Sequence, residues 1–208
     1  MNKYDLVIFD MDGVLIDSKK NMETSWNIVR KKFKIEKNFN NYFKFIGYPF
    51  FDILKKLSIK NNLKQIQTEY NKNSIRYFHK IKLYKGVKEV LKLLIKKKIK
   101  LAIVTSKNKS RTYKLVKKFK LPIKNIVCPS KSTRGKPYPD QIKIALKRAN
   151  IKKERTLYIG DMYVDYLLAK KSKIHFVFAK YGYGKIENYK KFNTINAFKD
   201  LKLIIWQT

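Results

Sequence analysis

Cysteine is nearly missing from this 208-residue chain: Cys128 stands alone, so no internal disulfide can form and a reducing compartment is expected. Its bland reading is a small buried residue rather than a reactive thiol. Glycine and proline number only 7 and 5, which leaves little material for long linkers. No apolar run approaches the roughly 18 residues needed to span a bilayer. The opening MNKYDLVIFD lacks the long apolar stretch and small-residue cleavage site of a signal peptide, so a cytoplasmic protein without membrane contact is expected. Acids are scarce too, 15 against 50 Lys plus Arg, for a formal charge of +35. With 44% hydrophobic residues, a disordered polycation is excluded. The length suits one domain with room for a modest inserted module.

A charge of +35 would ordinarily point to nucleic acid or an anionic membrane. Arginine, however, supplies only six of the 50 basic residues, at positions 30, 76, 111, 134, 148 and 155. Nucleic-acid sites favour its bidentate fork and stacking plane. The lysines run from end to end alongside plentiful Asn, Ile, Tyr and Phe, all residues with AT-rich codons, so compositional drift is a sufficient explanation. Nucleic acid is therefore not the expected partner. The acids are more informative: Asp10, Asp12, Asp17, Asp161 and Asp165 are five of the 15, in two tight clusters.

Leu6-Val7-Ile8-Phe9 is a continuous apolar run ending in Asp10-Met11-Asp12-Gly13, the pattern of a buried parallel strand entering a loop. It recurs at 101–104 before Thr105-Ser106, and at 157–159 before Gly160-Asp161. Further strands are predicted at 125–127 and 174–178. Helical spacing fills the intervals: 86–98, with apolar residues at 87, 90, 91, 94 and 95, then about 109–119 and 139–149. The tail from Ala197 to Trp206 fits helix or strand. Residues 18–82 show helical spacing, as at Trp26, Ile28, Val29 and Phe33, with no buried strand. The expected fold is α/β: a Rossmann-like parallel-sheet core formed by 1–17 and 83–208, with a small α-helical cap domain, 18–82, inserted after the first strand. Ligands of open α/β sheets bind beyond the carboxyl ends of the strands, so the loops at 10–13, 105–107 and 160–165 should converge under the cap.

Asp10, Asp12, Asp161 and Asp165 in one crevice would repel strongly unless a cation neutralised them. Oxygen donors without His or Cys favour a hard ion, Mg2+ where phosphate is the substrate. Any one of these residues could instead be a turn or helix cap; two clusters at strand ends fit capping poorly. Thr105 and Ser106, between strand and helix, could cradle a phosphate, and Lys136 could neutralise one.

In order and spacing, Asp10-Met11-Asp12-Gly13-Val14-Leu15-Ile16-Asp17-Ser18, Thr105, Lys136-Pro137 and Gly160-Asp161-Met162-Tyr163-Val164-Asp165 resemble the four motifs of the haloacid dehalogenase-like hydrolases. The likeness spans residues 5 to about 184. The helical insertion, Leu83-Tyr84-Lys85-Gly86-Val87 and Tyr181-Gly182-Tyr183-Gly184 are similar to its phosphoglycolate phosphatase and β-phosphoglucomutase branch; Lys85, Leu167 and Lys171-Ser172 depart from that pattern. The resemblance implies Asp10 as a nucleophile forming an aspartyl-phosphate and Asp12 as acid and base. It implies Thr105 and Lys136 as catalytic phosphoryl-binding groups, and Asp10, Asp12 (through its carbonyl), Asp161 and Asp165 around Mg2+. Gly13, Ser106, Gly47 and Tyr48 would join Thr105 and Lys136 in binding phosphate or substrate. Ile46 to Phe50 resembles the branch's substrate-facing cap loop, and reads equally as an interhelical turn. His79 reads as a surface or packing residue. The expected activity is Mg2+-dependent hydrolysis of a small phosphorylated metabolite, phosphoglycolate- or sugar-phosphate-like, by a monomer or dimer. Sugar phosphomutase chemistry is the alternative, and a nucleic-acid-binding or polynucleotide-end-processing protein is the reading of another class.

Overall fold

The computed structural model describes residues 2–130, 132–185 and 192–205. Three apolar runs lie side by side at its centre as β1 (Leu6–Phe9), β4 (Lys100–Val104) and β6 (Thr156–Gly160). With β5 (Asn125–Val127), β7 (His175–Ala179) and β8 (Asn193–Ile195) they form a parallel six-stranded sheet, order β5-β4-β1-β6-β7-β8. The chain fills one side of β1 before crossing to the other. Phe9 pairs in register with both Ile103 and Ile159, so Asp10, Thr105 and Gly160-Asp161 emerge at the same level.

The central strands carry continuous apolar runs, 6–9, 101–104 and 157–159, because both faces are covered. Val7, Phe9, Ile103 and Ile159 pack with α5 (Val87–Lys96) and α6 (Lys109–Phe119); Leu6, Ile8, Val104 and Tyr158 pack with α7 (Asp140–Ala149) and α8 (Tyr163–Ser172). Cys128 packs half-buried against the first cluster, with its thiol pushed up by burial. Val87, Val90, Leu91 and Leu94 of α5 are buried, but Ile95, expected on the same stripe, is 45% exposed. It lies at the edge of the apolar stripe, one position past the buried Leu94. The tail continues from β8 into a single 3-10 turn and α9 (Leu201–Ile205); Trp206 lies outside the described residues. β8 carried no signal of its own, having one buried residue in three.

Between β1 and β4 lie α1 (Lys19–Lys32), α2 (Phe39–Phe43), α3 (Phe50–Lys56) and α4 (Leu63–Arg76), around a separate apolar cluster that includes Trp26, Val29, Tyr42, Leu54 and Tyr70. α1 and α4 are latched by buried hydrogen bonds: Asn21 Nδ2 donates to the Ser74 carbonyl and Ser74 Oγ to Asn21 Oδ1, both at 2.9 Å. A two-stranded antiparallel ribbon, β2 (Ile16–Asp17) with β3 (Lys82–Leu83), joins this helical layer to the sheet layer. Two residues per strand leave no periodicity to read in the sequence. Ser106 Oγ donates to the Gly47 carbonyl at 2.6 Å, tying the α2–α3 loop to the end of β4.

Candidate active site

Beyond β1 and β6 the acids meet. Asp10, Asp161 and Asp165 are all buried, and one carboxylate oxygen from each lies within 4.8 Å of the others. Lys136, brought in by the loop before α7, donates from Nζ to Asp10 Oδ1 at 2.7 Å and to Asp165 Oδ1 at 2.8 Å. Asp165 is fully engaged: Oδ1 also accepts from the Tyr158 hydroxyl at 2.9 Å, and Oδ2 takes the N–H groups of Asp161 and Met162 at 3.2 and 3.0 Å. It thereby fixes both the loop after β6 and the ammonium of Lys136. Asp161 is placed otherwise: Oδ2 accepts from the Tyr183 N–H at 2.7 Å, while Oδ1 is buried with no hydrogen-bond partner. Gly13 has φ +84, and a side chain there would collide with Asp161 Oδ2 at 2.0 Å. Gly182 likewise presses against the Cβ of Asp161, at 2.3 Å from where its own would stand.

Burial pushes the Asp10 carboxyl up to about 7, with Lys136 pulling the other way and Asp165 and Asp12 adding repulsion. Asp161 is also raised well above the carboxylate range, by burial and then by Asp165 and Asp10. Burial disfavours the Lys136 ammonium, but its two carboxylate partners outweigh that and raise its pKa, so it stays charged. The native metal-free protein therefore binds more protons than the unfolded chain between about pH 4, the ordinary Asp value, and about 7. Relative to Asp10→Asn, which has no carboxyl at this position to titrate, the wild type should lose stability as pH rises through this window. Denaturation midpoints measured in chelator from pH 4 to 8 check this; a difference that is flat or grows with pH refutes it.

Asp12 lies apart from the trio and is half-buried. Oδ1 accepts from the Ser18 hydroxyl, and Oδ2 is 3.0 Å from Lys107 Nζ. Thr105 is buried; its hydroxyl accepts from the Lys107 N–H at 3.2 Å and its carbonyl from Gln141 Nε2 at 3.1 Å. Asp10, Asp12, Thr105, Ser106, Gly47 and Tyr48 share a cavity of about 50 Å3, roofed by Met22, Tyr42, Ile53 and Tyr70 of the helical layer. Gly13, Lys136, Asp161 and Asp165 sit behind that surface, and His79 is exposed beside Tyr77, away from it.

Sequence reasoning missed three groups here. Lys107 is buried against Asp12, but among so many lysines it carried no signal. Tyr158 looked like one more apolar strand residue, although its hydroxyl serves Asp165. Arg111 also reaches the cavity, and its signal was its rarity in a lysine-rich chain.

A family model described as haloacid dehalogenase-like hydrolase matches residues 7–179. Pyrophosphatase PpaX of Halalkalibacterium halodurans is 28% identical over 171 residues, 81% of this chain and 80% of that protein. The phosphoglycolate phosphatase of Aquifex aeolicus is 26% identical over 191 residues, 88% of each chain. In fold, the chain is similar to the crystal structure of a haloacid dehalogenase-like hydrolase from Bacteroides fragilis, with a TM-score of 0.87, 22% identity, and coverage of 96% and 100% of the two chains.

Proposed function

Because the chain belongs to the haloacid dehalogenase-like hydrolases and is a phosphatase, we propose that it is Mg2+-dependent and releases phosphate from a small phosphorylated metabolite through an aspartyl-phosphate on Asp10. The observation that carries this reading is the convergence of Asp10, Asp161 and Asp165 on one point, with Asp161 Oδ1 buried and unpartnered, beside Lys136.

Those carboxylates fit a hard divalent cation: the donors are all oxygen, and one of them lacks any other partner. Asp10, the carbonyl of Asp12 and Asp161 would hold it, with Asp165 alongside. When bound, the ion supplies positive charge that offsets carboxylate repulsion and the negative charge of the phosphoryl oxygens. An Asp10 oxygen attacks phosphorus and the P–O bond to the leaving group breaks. Asp12, at the cavity wall, gives that oxygen its proton and later takes one from the water that cleaves the aspartyl-phosphate. Lys136 and the Thr105 hydroxyl stabilise charge on the phosphoryl oxygens, and Asp165 holds Lys136 in place. Residues 18–82 act as the cap over the catalytic domain of 1–17 and 83–208, and the roof they make excludes bulk water from the intermediate.

Because a pyrophosphatase and a phosphoglycolate phosphatase are among the similar proteins, small phosphate compounds are the first substrates to try. Phosphate release from pyrophosphate, 2-phosphoglycolate and a set of sugar phosphates, with and without Mg2+, tests the proposal. Metal-dependent release from at least one compound is expected. Isomerisation of a sugar phosphate without release would replace hydrolysis by phosphomutase chemistry, and silence in every arm would refute both.

A further inference from the structure

Two cations face the cavity without a role in the chemistry just described. Lys107 and Arg111 are each only 6% exposed, and both line the space shared by Asp10, Asp12 and Thr105. Lys107 has a counter-charge in Asp12. Arg111 has none: among the described residues no carboxylate forms an ion pair with it. Its Nη1 donates to Ser74 Oγ at 3.0 Å, its guanidinium lies 5.2 Å from the centre of the Tyr70 ring, and its Nε is buried with no hydrogen-bond partner. A guanidinium buried without an anion is unfavourable, and the hydrogen-bond donor left over at Nε adds to that.

The position of this cation is fixed from both layers. Asn108 accepts the Arg111 N–H at 3.3 Å and starts α6, while Ser74 and Tyr70 belong to α4 of the helical layer. The guanidinium therefore sits on the roof side of the cavity, with Asp10 and Thr105 at the carboxyl ends of β1 and β4 on the floor. A molecule whose phosphorus meets Asp10 occupies the same cavity that Arg111 lines. The exposed lysines of this chain are hydrated and screened and discriminate poorly between anions; a desolvated guanidinium discriminates strongly.

We propose that Arg111, with Lys107 beside it, makes this enzyme select substrates carrying a second anionic group, phosphoryl or carboxylate, a few bonds from the phosphorus that Asp10 attacks. The inference rests on the phosphatase reading and adds to it which phosphate compounds are preferred. A substrate with an uncharged tail leaves the guanidinium unpaired in a space of about 50 Å3 and is disfavoured for that reason.

Two non-hydrolysable probes of similar size separate the terms: phosphonoacetate, with a second anion, and ethylphosphonate, without one. In calorimetric titrations with Mg2+, the wild type should bind phosphonoacetate at least roughly tenfold more tightly, as expected for a charged hydrogen bond. Arg111→Met should close most of that gap, and Arg111→Lys should keep part of it. Equal wild-type affinities for the two probes would overturn the inference without recourse to any variant, as would a gap unchanged in both variants. In turnover, the ratio of kcat/KM for pyrophosphate or 2-phosphoglycolate to that for phenyl phosphate should fall in Arg111→Met, mainly through KM. Whichever double anion loses more identifies the second group as phosphoryl or carboxylate. Failure of the phosphatase reading would appear as no turnover with the binding gap intact; failure of this inference alone would appear as turnover without preference.

Discussion

The Asp10→Asn variant is expected to release phosphate at least roughly ten-thousandfold more slowly than wild type, the scale on which losing a nucleophile acts when the remaining groups cannot substitute for it. The neighbours offer no replacement. Asp161 has one oxygen on the Tyr183 N–H and the other behind the cavity surface, and both Asp165 oxygens are committed to Lys136, Tyr158 and the loop backbone. The loss should be in kcat. It should come with undiminished stability, because the substitution relieves repulsion among three buried carboxylates. Steady-state assays paired with thermal melts in chelator test both halves. Residual activity above about one per cent would remove Asp10 from the chemistry.

Lys136→Met should produce the largest change in stability. Lys136 Nζ is fully buried between Asp10 and Asp165, and the apolar replacement leaves two carboxylates facing each other with Asp161 close by. Removing one partner of a buried ion pair costs about 3–5 kcal/mol, which for a chain of this length lowers Tm by roughly 10 °C. The penalty should be largest above about pH 7, where Asp10 is ionised, and should shrink as acid protonates the cluster. Melts of wild type and variant in chelator between pH 5 and 8 are the test. A loss below about 1 kcal/mol, or one independent of pH, would mean that solvent screens this cluster despite its burial. Activity should fall too, since the phosphoryl oxygens lose a fixed positive charge.

Both predictions concern residues whose positions were readable from the chain. Asp10 and Asp161 each follow a run of apolar residues long enough for a strand buried on both faces, and such strands lie parallel with their carboxyl ends in line. Lys136 was readable only by its place before Pro137 within an ordered set of motifs; as a lysine among lysines it carried no information. The ribbon of β2 and β3 stayed hidden because two residues show no period, and the edge strand β8 because only one of its three residues is apolar and buried. Ile95 shows the converse error: an apolar residue at nearly the right spacing that falls at the margin of the buried stripe and stays 45% exposed.

The sequence by itself determined that this is an α/β enzyme with a helical insertion and where its acids emerge, because strand burial and loop position depend on residues adjacent in the chain. Only the tertiary structure decided which cations matter. Lys107 is one lysine among many and Arg111 is marked only by being a rare arginine; neither shows itself as buried until the helical layer closes over it, and Arg111 meets Ser74 across 37 positions of chain. Loss of hydration gives a charge its selectivity, and hydration is lost only when distant segments pack together.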